Sequence, residues 1–593
     1  MPVLQISERI RDLLIATLLA LALFVLFAFS LSRPLADSAY TLLISENLVL
    51  NRTLNLDRYF NFQGKQNPKV GLPDAREDYR LRVVENHVYY KYPPGSPVLS
   101  IPFAMAMKWM GLSCIKEDGT YSHIREQRQQ HVISAVLMAA FGFILYLTGR
   151  LLVSVGWSVV VTLGVTLGST AWSSMALALW SDCWGILLCA LGIHLLARNQ
   201  IAGKPLRPVL LSTLLAWSFF VRPTNAVNAV AITVVVILAN WRIGLLMIGI
   251  GLAWFAGFIW FSFDTYGTPL PDYFQGQEVG TQRSIFGLPG LLFSINRGLF
   301  VFSPLFIAIL WAIWARRRFM PYRALNCCAL AAITVHYAIV VFHKGWGGGY
   351  SYGPRLLTGV IPWFALLAFL AIRAEFLGRA FELNERRPVF RYAMTILMCL
   401  VGVSIHARGA LVRETALWNS TPKSFIMDKG RAWDLTDPQI LAGLSSRPTA
   451  RFMQQVPLHT PVFPGTEGGT PYCWLGWSGP EADGFRWSDG NRASLAFELP
   501  EPNATTATLE LRAFVVPPVI PHQDVKFAFN GNPVQSVVLT SNKETTITLS
   551  VSDLGRSGIN VLRIELPDAV SPLALGADDS RVLGVAIRSL RLD

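Results

Sequence analysis

The 593 residues carry 51 Lys and Arg against 38 Asp and Glu, a formal charge of +13, yet only 15% of them are charged, and the mean hydropathy is +0.40. That composition excludes an ordinary soluble domain and points to a polytopic membrane protein. The positive balance calls for no nucleic-acid partner, because much of it sits in short basic loops between apolar runs.

Apolar runs near the ~20 residues needed to cross a bilayer recur over the first two thirds of the chain. They fall at 10–32, 131–149, 157–176, 180–198, 206–221, 226–240, 243–263, 299–315, 324–342, 357–374 and 391–407, which makes about eleven transmembrane helices. The first has a basic start but is too long for a signal peptide and lacks a small-residue cleavage site, so it reads as a retained anchor. Residues 98–110 are apolar but short and read as an interfacial or re-entrant segment; a true span there would upset the parity of everything after it.

Charge sets the orientation. With Arg9 and Arg11 cytoplasmic, the inside loops hold Arg150, Arg198, Lys204, Arg207, Arg242, Arg316, Arg317, Arg318, Arg323, Arg373, Arg379, Arg386, Arg387 and Arg391. The short outside loops hold few basic residues: Arg222, Arg283, Arg297, His343, Lys344 and Arg355. This asymmetry follows the positive-inside rule, from which the long loop 33–130 is exempt. Asp37, Lys91, the 264–298 loop, Arg355 and everything after 407 then lie on the outer side.

The expected membrane domain is 1–407, followed by a polar linker over 408–470 with a few helical turns. From 471 to 593 the pattern changes to alternating strands at 493–499, 508–515, 525–529, 534–540, 544–551, 560–566 and 581–592, separated by turns such as Asn530-Gly531. Strands at this spacing predict an extracytoplasmic β-sandwich. The seven cysteines form neither a disulfide framework nor a CxxC metal pattern. Walker, GxSxG, HExxH and Rossmann patterns are missing.

The polar motifs gather on the predicted outer side. Asp37, just past the first span, suits a general base for an acceptor hydroxyl, or an N-cap for a helix over 38–50. Tyr90-Lys91-Tyr92-Pro93-Pro94-Gly95 offers a compact cation for a phosphate, or an interfacial anchor of Tyr and Lys. Lys344-Gly345-Trp346-Gly347-Gly348-Gly349-Tyr350-Ser351-Tyr352-Gly353-Pro354-Arg355 combines glycines that admit close approach, aromatics that can stack on sugar, and a guanidinium fork for phosphate; the plain alternative is a flexible outer loop. Arg297 reads as a second phosphate contact or a headgroup partner. Asp182 and Arg222, at span ends, are ionisable groups close to lipid. Glu46 and Asp57 read as solvated loop charges, while Trp477 and Trp487 read as sandwich core before glycan contacts.

Taken in order, Asp37, Tyr92-Pro93-Pro94-Gly95, Arg222-Pro223-Thr224-Asn225, Arg297-Gly298-Leu299-Phe300-x-x-Ser303-Pro304 and Gly349-Tyr350-Ser351-Tyr352-Gly353-Pro354-Arg355 resemble the bacterial polytopic glycosyltransferases of the C superfamily, related to protein mannosyltransferases and aminoarabinose transferases. The resemblance covers roughly residues 1–407. It implies an inverting hexosyl- or pentosyltransferase in the bacterial plasma membrane. Such an enzyme takes its sugar from a polyprenyl-phosphate donor and gives it to an envelope glycan, lipid or protein acceptor.

The resemblance maps the catalytic acid onto Asp37 and donor or substrate contacts onto Lys91, Tyr92, Arg297, Trp346, Tyr350 and Arg355. Two positions depart from the pattern. Tyr92 stands between Lys91 and Pro93, and Ser38 stands where many relatives carry a second acid. No metal site is assigned, and a divalent-cation requirement stays open. The rival readings are a lipid-linked glycan flippase, which predicts mid-span charges and internal repeats, an O-antigen ligase or polymerase, and a glycan-binding scaffold that needs no Asp37.

Overall fold

The computed structural model describes residues 2–62, 72–275, 284–381, 389–420, 425–426, 428–444, 453–577 and 579–593. Arg283, Arg386 and Arg387, counted above in the charge balance, lie outside the described residues, as does the side chain of Arg379. The chain divides into two compact units, Met1–Ala416 and Leu417–Asp593.

The first unit is a multi-pass helical membrane domain. Among the described residues, seven helical segments are long and apolar enough to cross a bilayer: Ser7–Ala28, His123–Gly149, Ser181–Ala202, Trp241–Tyr266, Arg323–Val341, Arg355–Gly378 and Arg391–Leu411. Four shorter apolar helices, Val155–Leu167, Pro208–Val221, Pro223–Ala239 and Leu305–Ala315, occupy the other four runs expected from the sequence. Proline accounts for one of the two breaks within these runs, since it removes a backbone donor and clashes with the preceding turn. The run at 299–315 is broken at Ser303-Pro304 into Leu299–Phe302 and Leu305–Ala315. The run at 157–176 ends at Leu167 and resumes as the five-residue turn Ala171–Met175.

The chain's helices in order begin with α1 (Pro2–Ala28), α2 (Thr41–Asn51), α3 (Gly95–Trp109), α4 (His123–Gly149), α5 (Val155–Leu167), α6 (Ser181–Ala202) and α7 (Pro208–Val221). The expected interfacial segment is α3, only 15 residues long with Pro102 inside it. Its first residue explains the Pro-Pro-Gly motif: a Cβ on Gly95 would lie 2.6 Å from the backbone of Phe220, so only glycine lets α3 start against the end of α7. Ion pairs form at both ends of the helices. Arg150 meets Asp12 at 3.1 Å, and Arg316 meets Glu375 at 2.7 Å. The opposite ends carry Asp37 with Arg355 and Asp182 with Arg222.

The second unit is a β-sandwich of two five-stranded antiparallel sheets. All seven expected strands are present, within a few residues of their expected ends, and three short strands over Cys473–Leu475, Trp477–Pro480 and Arg486–Ser488 precede them. Alternating residues such as Leu509 and Leu511, Phe527 and Phe529, and Leu562 and Ile564 fill the core between the sheets. Trp477 joins that core, its indole N–H donating to Ser494 O at 2.9 Å. Trp487 is half-buried, edge-on to Phe514 at 5.9 Å. Before the strands, buried Arg431 stacks on Trp418 and pairs with Asp437 at 2.7 Å.

Candidate active site

Asp37 lies in the turn between α1 and α2. It does not cap α2. That helix starts at Thr41, and its cap residue is Tyr40, in the left-handed conformation at φ 73° with no side-chain cap bond. A bulky residue at positive φ needs the surroundings to hold it there. Buried Glu126 of α4 accepts the backbone N–H groups of Tyr40 at 2.8 Å and Leu42 at 2.7 Å. Gln130, one turn on, donates to Ser38 O at 2.7 Å. From the other side the Tyr90 hydroxyl donates to the carbonyl of Asp37 itself. The backbone around Asp37 is thus fixed by a helix and a hairpin far from it in sequence.

The carboxylate turns to Arg355. Nη1 and Nη2 lie 3.1 and 3.0 Å from Asp37 Oδ2, with Arg355 9% and Asp37 27% exposed. Tyr79 donates its hydroxyl to Oδ1 at 3.3 Å, and the Tyr92 hydroxyl also bonds the carboxylate. Arg355 itself rests on an aromatic face, its Cζ 4.0 Å from the centre of the Trp180 ring. Arg355 Nε and Trp180 Nε1 are both buried without a hydrogen-bond partner among the described residues.

A second layer surrounds this pair. The Arg222 guanidinium binds Asp182 and donates from Nε to Thr224 Oγ1 at 3.2 Å. The ring of Tyr92 contacts Tyr90 at 5.3 Å and Tyr273 at 5.4 Å. Tyr273 lies within electrostatic reach of Arg222, Asp182, Asp37 and Arg355. Tyr40 joins Asp78, which Arg80 grips at 2.6 Å.

These surroundings set the protonation states. Burial alone would raise the Asp37 carboxyl, but the Arg355 charge and the hydrogen bonds from Tyr92, Arg355 and Tyr79 outweigh it and hold the group below the ordinary aspartate value. Burial, then the Asp37 charge, pushes the Tyr92 and Tyr79 phenols upward. Both therefore remain donors to an ionised Asp37 at neutral pH.

Of the residues singled out in the sequence, the structure brings Asp37, Tyr92 and Arg355 together. Lys91 is the half-buried neighbour, anchored through its backbone N–H to Arg80 O at 2.8 Å. Arg297 is fully buried under the glycine loop, donating to the carbonyls of Gly347 at 2.6 Å, Asn296 at 2.7 Å and Gly349 at 3.4 Å. Trp346 is 2% exposed, packed so that a Cβ on Gly290 would meet its ring at 2.7 Å. Tyr350 is exposed, while Tyr352 is buried edge-on to Phe302 at 5.2 Å.

Of two charges expected in solvent, one is buried and the other stays partly exposed. Glu46 is fully buried in α2, where it accepts from Ser113 Oγ at 2.5 Å and Cys114 N at 2.9 Å. Asp57 holds His87 Nδ1 at 2.6 Å and the Val88 N–H at 2.8 Å. Sequence reasoning missed Tyr79, Trp180, Tyr273 and Glu126. For Trp180, Tyr273 and Glu126 the visible signal was aromatic or acidic character near predicted outer span ends; Tyr79, in the middle of the 33–130 loop, gave none. Among the described residues, the group of His, Cys, Asp or Glu close enough to hold a metal ion is His522, Asp524 and Asp568 in the sandwich unit; it does not include Asp37.

No protein-family model matches the sequence, and no curated protein matches it. Among solved structures the chain is similar to the apo oligosaccharyltransferase of Archaeoglobus fulgidus, with 13% identity and a TM-score of 0.38 over 75% of this chain and 62% of that one. It is similar to the arabinosyltransferase EmbB of Mycobacterium smegmatis, with 11% identity and a TM-score of 0.38 over 98% of this chain and 64% of that one. It is also similar to ArnT of Cupriavidus metallidurans bound to undecaprenyl phosphate, with 14% identity and a TM-score of 0.37 over 75% and 82%. The chain thus spans less than two thirds of the length of the first two. At TM-scores below 0.5 these likenesses do not bear on the chemistry, which rests on the residues around Asp37.

Proposed function

We propose that the chain is an inverting glycosyltransferase that moves a sugar from a polyprenyl-phosphate donor to an envelope glycan, lipid or protein hydroxyl at the outer face of a bacterial plasma membrane. The observation that carries this reading is the ionised Asp37 carboxylate, held by Arg355 and two phenols where helix ends meet. The motif order around it supports the same reading. In the reaction, the acceptor hydroxyl attacks the anomeric carbon and gives its proton to Asp37. The bond from that carbon to the donor phosphate breaks on the opposite side, and the electron pair leaves on the phosphate oxygen. Arg355 and Lys91 oppose the charge that develops there. A polyprenyl tail in hydrocarbon with its phosphate at the interface explains why such chemistry belongs at the end of a helical bundle.

The test is mass spectrometry of envelope glycans and lipids from wild-type, deletion and Asp37→Asn strains with matched protein levels. Loss of the same sugar unit in the deletion and the variant is the expected result, and the missing mass names the sugar class. A wild-type glycan profile in the Asp37→Asn strain overturns catalysis by Asp37.

A further inference from the structure

Two buried donors at this site have no acceptor among the described residues: Arg355 Nε and Trp180 Nε1, on residues 8% and 4% exposed. Leaving a buried N–H unpaired is costly, so a pair of them on stacked side chains marks a place for an acceptor atom. The guanidinium lies over the indole at 4.0 Å, and its two terminal nitrogens are both spent on one oxygen of Asp37. That arrangement keeps Asp37 ionised but makes it a poor base, because a carboxylate forked by a cation gives up its pairing when it takes a proton.

We propose that Arg355 and Trp180 form a phosphate subsite in which Arg355 exchanges between Asp37 and a non-bridging oxygen of the donor phosphate, so that donor binding releases Asp37 to act as base. The inference rests on the transferase reading above and adds an order of events to it. Phosphate is the fitting class of ligand: it is an acceptor-only anion whose oxygens can take the guanidinium fork and the indole N–H together. A neutral sugar hydroxyl would leave Arg355 without a counter-charge once Asp37 let go. Stacking on Trp180 lets the guanidinium shift in its own plane while the cation–π contact is kept. The acceptor hydroxyl is then deprotonated only when a leaving group is in place. Asp37 and phosphate compete for one cation, and the coupling is reciprocal.

The experiment uses the full chain in lipid nanodiscs, titrated calorimetrically with undecaprenyl phosphate near neutral pH. Asp37→Asn is expected to bind about tenfold more tightly than wild type, because its competitor for Arg355 has lost its charge. Equal or weaker binding overturns the exchange. Trp180→Phe, which keeps the stack and removes the N–H, is expected to bind about fivefold more weakly; unchanged affinity overturns the part given to Trp180. Inorganic phosphate is expected to compete with the lipid, and failure to compete overturns recognition of the phosphate group. Should Asp37→Asn prove unstable, Asp37→Ser takes its place in the same titration, and equal or weaker binding overturns the proposal. Transfer is scored separately. An Asp37→Asn variant that binds as wild type and transfers nothing sinks the exchange alone, whereas one that still transfers sinks catalysis by Asp37.

Discussion

Glu126 and Tyr40 are joined across 86 residues of sequence by a 2.8 Å bond from the Tyr40 N–H to Glu126 Oε2. That bond, with its twin to Leu42, keeps Tyr40 in the left-handed conformation three residues beyond Asp37. Replacing Glu126 by Leu strands two buried N–H groups and the Tyr121 hydroxyl that also donates to it. A loss of about 3 kcal/mol in stability is expected, read as a lower unfolding midpoint in detergent. Glu126→Gln, which keeps an acceptor oxygen, is expected to lose less.

Arg355→Lys keeps the charge at the site but loses the fork and the planar stack on Trp180. Transfer is expected to fall on the order of a hundredfold, the cost of losing two charge-assisted bonds, with the protein still folded. Full activity in a purified transfer assay of Arg355→Lys rules out any need for the fork.

How much of this was legible follows from the range of each interaction. The spans were legible because lipid demands long apolar runs, and the strands because side chains alternate across a sheet. Asp37 and Arg355 were legible singly, as charges at span ends. Their pairing was not, since 318 residues separate them and local pattern carries no information about such contacts. Glu46 misled for the same reason: its partners Ser113 and Cys114 lie 67 and 68 residues away. The glycines of the 345–349 loop were read as ligand approach, yet the carbonyls of Gly347 and Gly349 are taken by Arg297 of this chain.

The depressed Asp37 carboxyl fixes a sign for the effect of pH. A carboxyl lowered on folding contributes stability that is full above its unfolded value, near ~4, and is lost as the pH falls through the lower folded value. Between pH 7 and 5 the gap in unfolding midpoint between wild type and Asp37→Asn is therefore expected to stay constant, and below about pH 4 to close. Tyr79→Phe removes one donor to the carboxylate and is expected to move that closure to higher pH. A gap that widens on acidification contradicts the ion pair.

Asp182 and Arg222 are 5% and 10% exposed and joined to each other, so either charge left alone would be buried without its partner. Asp182→Asn and Arg222→Met are each expected to cost about 3–5 kcal/mol, while the double variant Asp182→Asn with Arg222→Met is expected to recover part of the loss. Thermal unfolding of the two single variants and the double variant measures this coupling. Strict additivity would mean that the pair does not act as a unit.

Gly353 connects the glycine loop to Arg355. Its φ is +63°, where a side chain is strained, and a Cβ there would lie 2.6 Å from Phe302 Cδ1. Phe302 cannot easily yield, because Tyr352 packs edge-on against it and its own side chain is fully buried. Gly353→Ala should therefore displace the backbone two residues before the guanidinium that holds Asp37. Both a loss of about 1–3 kcal/mol and a fall in transfer are expected. Ser351→Ala tests a neighbouring position without a positive φ; it removes a 3.0 Å bond to Gly348 O and is expected to cost about 1 kcal/mol. If Gly353→Ala were no worse than Ser351→Ala in either assay, the glycine would not be what positions Arg355.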